Sequence, residues 1–231
     1  AGYLKTPRII EAFRQIDRAD FVPENLLSEA YGNYPLPIGY NQTISQPLTV
    51  AFMLELLQPE PDQKILDVGS GSGWTTALLA HNVSQKGISN FPACADASAG
   101  RQFPPKESPC GDPTGQAIPK QQGKVIAIDR IPELVEFGKS NVAKYNFIKK
   151  GIVEFNCADG SLGLKKEAPF DRILAGAAAE KVPASLKEQL KINGRLVIPV
   201  QNSIYLIIRK GEDKFSQEEF SGFAFVPLIE I

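Results

Sequence analysis

The sequence predicts an α/β fold, a doubly wound and mostly parallel sheet with helices on both faces. Strand-type and helix-type segments alternate along most of the 231 residues, as is typical of parallel strands joined by crossover helices. A glycine-rich turn joins the first strand of this series to a helix, the arrangement that holds a ligand beyond the carboxyl ends of the strands. The last two strand-type segments have no helix between them, which predicts an antiparallel hairpin at the C-terminal edge of the sheet.

The first predicted elements precede the glycine turn. Thr6, as N-cap, and the proline after it predict a helix over 6–15. Residues 21–41 are rich in Pro, Gly and Tyr and predict an ordered loop. Residues 46–57 predict an amphipathic helix. Its apolar stripe consists of Val50, Met53, Leu54 and Leu57.

The sheet is predicted from seven strand-type segments with three helices between them. The strands are expected at 64–68, 125–129, 152–156, 172–175, 195–200, 203–209 and 223–228. The helices are expected at 74–80, 132–145 and 183–190. A chain of this length can form one domain, and we expect residues 1–231 to do so.

Residues 87–122 interrupt this pattern. They hold six of the eighteen prolines and few aliphatic residues, so we expect a long or partly disordered loop. Asp67 and Asp129 are 62 positions apart, but only 26 once these 36 residues are set aside, close to the ~20 of a Rossmann-like unit. We therefore predict a tolerated insertion on the face opposite the ligand. Its cysteines, Cys94 and Cys110, could pair if oxidised.

The glycine turn predicts a nucleotide-like ligand. Asp67 closes a strand, Gly69, Gly71 and Gly73 follow, and a helix begins at Trp74. Such a turn brings backbone and helix N–H groups close to a ligand. Tryptophan at the sixth position departs from the dinucleotide fingerprint, and the preceding acid resembles the first motif of class I S-adenosylmethionine methyltransferases. The alternative is a tight turn without a ligand.

Two further acids close neighbouring strands. Asp129 can accept hydrogen bonds from ribose hydroxyls; the alternative is a solvated charge at a strand end. Asp159 can accept a hydrogen bond from the exocyclic amine of adenine, while the backbone N–H beside it, at Gly160, donates to a ring nitrogen. Asp-Gly is also an ordinary turn.

Composition argues against several classes of protein. The net charge is −1 with both signs interspersed, so no basic stripe predicts nucleic-acid binding. No apolar run approaches the ~20 residues of a membrane span, and we expect no signal peptide ahead of the first helix. His81 is the single histidine, and the three cysteines lack Cys-x-x-Cys spacing, so we expect no metal and a cytoplasmic location. We also expect a monomer.

Segments along the whole chain, apart from residues 87–122, resemble the protein-L-isoaspartate O-methyltransferase family. Those before the glycine turn are Arg-Ala-Asp-Phe-Val-Pro-Glu at 18–24, Ala-Tyr at 30–31, Pro-Leu-Pro-Ile-Gly at 35–39 and Gln-Thr-Ile-Ser-Gln-Pro at 42–47. Those after it are Asp-Arg-Ile-Pro-Glu-Leu at 129–134, Asp-Gly-Ser at 159–161, Gly-Ala-Ala-Ala at 176–179, Gln-Leu-Lys-Ile-Asn-Gly-Arg at 189–195 and Phe-Val-Pro-Leu at 225–228. The segments at 42–47 and 225–228 are the most specific to this family.

The resemblance implies a Rossmann-like class I methyltransferase sheet with S-adenosylmethionine as cofactor. It implies methylation of the α-carboxylate of L-isoaspartyl residues in damaged proteins or peptides, which initiates repair through a succinimide. Residues 1–60 would then lie on the substrate side. The expected cofactor contacts are Asp67, Gly69, Ser70, Gly71, Gly73, Asp129, Arg130, Asp159 and Gly160. Another class I methyltransferase, acting on a small molecule or RNA, and a non-catalytic binding module are the alternatives.

Ser45 is the residue expected to act on the substrate, with Thr43 in support. The Ser45 hydroxyl can donate to the substrate carboxylate and fix which oxygen faces the methyl group. A carboxylate is already ionised at neutral pH, so no general base is expected. Ser45 is also a plausible N-cap of the helix predicted from residue 46, and it can serve both purposes.

The chain departs from the family pattern at three positions where glycine is common. These positions are Asn41, Asn193 and Gln201. None is an expected cofactor contact.

Overall fold

A computed structural model describes residues 4–84 and 122–229. The predictions for the insertion, including a Cys94–Cys110 pair, concern residues that lie almost entirely outside these ranges. The described helices are α1 (Pro7–Gln15), α2 (Pro47–Leu57), α3 (Trp74–Ser84), α4 (Pro132–Ala143) and α5 (Ala184–Glu188). The described strands are β1 (Leu36–Gly39), β2 (Gln42–Ile44), β3 (Lys64–Val68), β4 (Lys124–Asp129), β5 (Val153–Cys157), β6 (Phe170–Ala175), β7 (Leu190–Val200), β8 (Ser203–Arg209) and β9 (Phe215–Ser221).

Within the described residues, strands β3 to β9 form one sheet in the order β5-β4-β3-β6-β7-β8-β9. The first five strands in this order, from β5 to β7, are parallel to one another. β8 and β9 are each antiparallel to the strand before them. The predicted α/β fold with an antiparallel C-terminal edge is confirmed. No described helix is long and apolar enough to cross a membrane.

The core lies on both faces of this sheet. Alternate residues of β3 point to opposite sides: Ile65 packs with residues of α1 to α4, and Leu66 packs with Leu186 of α5. All three side chains are fully buried. Helices therefore cover both faces, as a doubly wound sheet requires.

One prediction at the C-terminal edge was wrong, and one predicted helix is shorter than expected. The partner of β8 is β9, not residues 223–228. Five of the seven side chains of β9 are polar and all but that of Phe220 are exposed, so the strand lacks the apolar signal by which strands are recognised. The helix predicted over 183–190 spans only Ala184–Glu188, and β7 already begins at Leu190.

The N-terminal elements also differ in part from the prediction. Residues 21–41, predicted as a loop, contain β1, which pairs with β2 in an antiparallel hairpin. Thr6 holds the N-cap position of α1 but makes no side-chain cap, because its hydroxyl donates to Glu55 Oε2 (2.8 Å). Gln46, not Ser45, holds the N-cap position of α2. The alternative role of Ser45 as the N-cap of this helix is therefore wrong.

The three departures from glycine all have left-handed backbone. The φ angles are 56° at Asn41, 63° at Asn193 and 52° at Gln201. Glycine adopts this conformation freely, and asparagine adopts it more readily than glutamine. The departures therefore keep the turns but carry a conformational cost, greatest at Gln201.

Candidate active site

The glycine turn follows β3 and is held in place by backbone hydrogen bonds. The N–H groups of Gly69 and Ser70 both donate to the Ile128 carbonyl of β4 (2.8 and 3.0 Å). The Gly73 N–H donates to the Ser70 carbonyl (2.8 Å), and the Gly73 carbonyl accepts from Ala77 N–H (2.9 Å) at the start of α3. The turn is thus fixed to the carboxyl end of β4 and leads directly into a helix.

Gly73 serves helix packing. Its φ is +84°, and a Cβ there would lie 2.7 Å from the carbonyl oxygen of Gly138 in α4. The Asn141 side chain, also in α4, donates to the Ser72 carbonyl (3.1 Å). A side chain at position 73 would separate the turn from α4, so Gly73 allows the turn to pack closely against this helix.

Asp67 also lies behind the turn. Its side chain is 1% exposed, and it accepts a hydrogen bond from the Thr76 hydroxyl (2.6 Å). This bond joins the end of β3 to the first turn of α3. Burial raises the pKa of Asp67 to about 7, the Thr76 hydrogen bond opposes the rise, and the charge of Asp129 adds to it.

We expect the ligand-free protein to lose stability as pH rises because of Asp67. The unfolded carboxyl titrates near 3.8, so unfolding releases a proton between that pH and about 7, and stability falls through this window. Between pH 5 and pH 8 the expected loss is roughly 3 kcal/mol, or roughly 6–12 °C in Tm. Asp67→Asn keeps an acceptor for Thr76 and removes the titration. Thermal melts of both forms at the two pH values test this, and parallel pH profiles would contradict it.

Asp129 ends β4 beside the turn. Its Oδ2 accepts from Gly71 N–H (3.0 Å) and its Oδ1 accepts from Ile131 N–H (3.1 Å). The side chain is 8% exposed. Each oxygen of a carboxylate has a second lone pair, so Asp129 can organise the turn and still accept from a ligand.

Asp159 and Gly160 follow β5. One Asp159 oxygen accepts from both the N–H and the hydroxyl of Ser161 (2.8 Å each). Gly160 packs against β3, since a Cβ there would lie 2.5 Å from Val68 Cγ1. The carboxylate thus shapes the turn in which Gly160 approaches the sheet.

A cleft lies at the carboxyl ends of β3, β4 and β6. Six predicted residues line it: Thr43, Gly69, Gly71, Asp129, Arg130 and Gly160. Four predicted cofactor residues are not among its lining residues: Asp67, Ser70, Gly73 and Asp159. The prediction did not include Ile38, Gln42, Ile131, Leu134, Gly176, Ala177, Val226, Pro227, Leu228 and Ile229.

A second cavity adjoins this cleft. It is lined by Pro35, Thr43, Ser45, Gln46, Leu48, Thr49, Gly176, Gly222, Phe223, Ala224, Phe225 and Val226. Thr43, Gly176 and Val226 line both spaces. A ligand in the cleft and a second molecule in the cavity would therefore meet at these three residues.

The segment after β9 forms a wall of both spaces. The Ala178 N–H donates to the Val226 carbonyl (2.8 Å), and the Leu228 N–H donates to the Ala178 carbonyl (2.7 Å). This segment was predicted as a strand because it is apolar. Its apolar side chains instead pack over the site. Its resemblance to the family, at Phe-Val-Pro-Leu, was the available signal of a functional role.

Ser45 lies in the second cavity with its hydroxyl free to bind. It is half-buried, and in the described part of the chain its hydroxyl has no hydrogen-bond partner. Its carbonyl accepts from Arg18 Nη2 (3.1 Å). Ser45 is thus fixed through its backbone at the wall of the cavity.

A glycine turn after a parallel strand, an acid at the tip of the next strand and an adjoining second cavity fit a class I S-adenosylmethionine-dependent methyltransferase. The family model described as protein-L-isoaspartate(D-aspartate) O-methyltransferase matches residues 1–98 and 115–231. The chain belongs to this family.

Individual relatives agree with this assignment. A protein-L-isoaspartate O-methyltransferase of Methanopyrus kandleri is 38% identical over 99% of this chain and 86% of its own length. One of Aeropyrum pernix is 37% identical over 99% of this chain and 75% of its own length. A Plasmodium falciparum protein named for the same activity was solved with S-adenosyl-L-homocysteine. It superposes with a TM-score of 0.75 at 22% identity, covering 99% of this chain and 93% of its own. This last likeness supports the fold.

Proposed function

We propose that this chain transfers a methyl group from S-adenosylmethionine to the α-carboxylate of L-isoaspartyl residues in damaged proteins and peptides. The methyl ester then closes to a succinimide, whose hydrolysis restores some normal aspartate. Family membership supports this activity. The structural observation that carries it is the junction at Thr43, Gly176 and Val226, where the cleft meets the cavity that holds Ser45.

The residues of the cleft fit S-adenosylmethionine. Asp129 has free acceptor capacity for the ribose hydroxyls, and the apolar side chains of Ile131 and Leu134 offer a surface for adenine. The backbone at Gly69 and Gly71 leaves room for the methionine part. The cofactor supplies a methyl group already activated on a positively charged sulfur.

The second cavity suits a carboxylate nucleophile. A carboxylate is ionised at neutral pH and needs no base, and no charged side chain is found among the described residues that line this cavity. Neutral donors such as the Ser45 and Thr43 hydroxyls can orient the carboxylate without pairing its charge, so it keeps its nucleophilicity. Phe223 and Phe225 add apolar surface to the lining of the cavity. The enzyme then acts chiefly by alignment, worth up to about 7–11 kcal/mol.

The remaining expectations about partners and location belong to this proposal. A nearly neutral chain without a basic stripe supports activity on proteins rather than nucleic acids. Independence from metals, a monomeric state, a cytoplasmic location and the absence of membrane partners stay predictions.

The test is a methyl-release assay with an isoaspartyl peptide and its aspartyl twin. We expect methyl ester only on the isoaspartyl peptide, released as methanol when the succinimide forms. Equal rates on both peptides, or none, would refute the substrate. Calorimetric titration with S-adenosylmethionine separates the alternatives: a binding module gives no heat, whereas a methyltransferase of another specificity binds the cofactor and leaves both peptides unmodified.

A further inference from the structure

Arg18 is a buried cation beside the candidate site. It begins a short 3₁₀ helix (Arg18–Phe21) just after α1, and it is 3% exposed. It is among the lining residues of neither cavity. Any role in the reaction must therefore act through residues that it contacts.

The guanidinium of Arg18 donates to three backbone carbonyls. Nη1 donates to Ala30, and Nη2 donates to Tyr34 (3.3 Å) and to Ser45 (3.1 Å). In the described ranges no carboxylate pairs with it, and its Nε has no partner. Burying a cation without a counter-ion costs several kcal/mol, so packing alone would favour an apolar residue here.

The contacts of Arg18 connect the two halves of the site. Ser45 lines the second cavity, and Tyr34 precedes Pro35, another lining residue. The Arg18 Cζ lies 5.3 Å from the ring centroid of Trp74, the first residue of α3 after the glycine turn. One planar side chain thus connects the wall of the second cavity to the helix that follows the glycine turn. A guanidinium can do this because it carries several donors in a fixed fork, whereas lysine has a single ammonium group.

We propose that Arg18 is a positioning residue for Ser45. By holding the Ser45 carbonyl against Tyr34, Ala30 and Trp74, it sets the direction of the Ser45 hydroxyl relative to the cleft. This inference rests on the proposed function of Ser45. A small misplacement of an orienting group is sufficient to lower turnover, since a shift of ~1 Å can cost ~100-fold.

The test is a double-mutant cycle between positions 18 and 45. Arg18→Met removes the fork, Arg18→Lys keeps the charge without the fork, and each is combined with Ser45→Ala. In the otherwise native protein we expect Arg18→Met to lower kcat about 10-fold, and Arg18→Lys somewhat less, with cofactor Kd changed less than about 3-fold. In the Ser45→Ala background we expect either change to lower kcat less than about 2-fold further.

Arg172 provides a matched control. It is also buried, at 9% exposed, and donates to the carbonyls of Gln58 (3.1 Å) and Asp171 (2.9 Å) at the other end of the sheet. Arg172→Met should lower Tm and leave kcat and the Kd unchanged.

Three results would overturn the inference. The first is that the kcat losses of the Arg18 variants and of Ser45→Ala multiply in the double mutants. The second is a fall in cofactor affinity as large as the fall in kcat. The third is the lack of a cooperative unfolding transition in both Arg18 variants. Inactivity of the unmodified protein on the isoaspartyl peptide would refute the proposed function, and this inference with it.

Discussion

Replacing Ser45 with alanine is expected to lower kcat on an isoaspartyl peptide by about 100-fold, the size of effect seen when one preorganised donor is removed from a catalytic site. Ser45 lines the second cavity, and its hydroxyl has no competing partner among the described residues. Its carbonyl is fixed by Arg18, so the backbone of Ser45 is held in place before the substrate arrives. Removing it leaves the cofactor cleft intact, because Ser45 does not line that cleft.

The measurement is kcat and KM for the peptide, with cofactor Kd from calorimetry. Ser140→Ala is the control: Ser140 is an exposed serine of α4 whose hydroxyl donates to the Phe137 carbonyl (2.8 Å). It should leave kcat and both affinities unchanged. Native kcat in Ser45→Ala, or a loss confined to cofactor affinity, would remove Ser45 from its proposed role.

The parts of the fold that were predictable are those that carry an apolar pattern. Strands β3 and β4 are nearly all buried, and their runs of aliphatic residues show this directly. β9 is mostly exposed and mostly polar, and β1 is four residues long with a proline inside it. Neither gives a strand signal, although β1 and β2 form the hairpin from which Ile38 and Thr43 enter the site.

The sequence identified residues around the candidate site, but it did not show which of them face the cleft and which support the glycine turn from the protein interior. Asp67, Gly73 and Asp129 were all expected to contact the cofactor, and of these three only Asp129 lines the cleft. Which members face a ligand depends on the helices packed behind the turn, such as the contact between Gly73 and Gly138. Those contacts join positions far apart in the chain, and local spacing carries no information about them.

Replacing Asp129 with asparagine is expected to weaken S-adenosylmethionine binding about 100-fold. The carboxylate accepts from Gly71 and Ile131 N–H groups on one side and would accept ribose hydroxyls on the other. The amide of asparagine presents a donor in place of one acceptor, so either a backbone N–H or a hydroxyl loses its partner. Hydrogen bonds to a charged group contribute about 1.5–3 kcal/mol each, and one or two such losses account for the expected factor.

Asp171 is the matched control for Asp129. It also accepts a backbone N–H from a neighbouring strand, that of Lys64 (2.8 Å), and it pairs with Lys191. It lies at the start of β6, at the end of the sheet opposite the cleft. Asp171→Asn should lower Tm without changing cofactor affinity, whereas Asp129→Asn should change both. Calorimetric titrations and melts of the two variants distinguish a ligand contact from a structural bond. Comparable cofactor affinity in the two variants would show that Asp129 serves the fold alone.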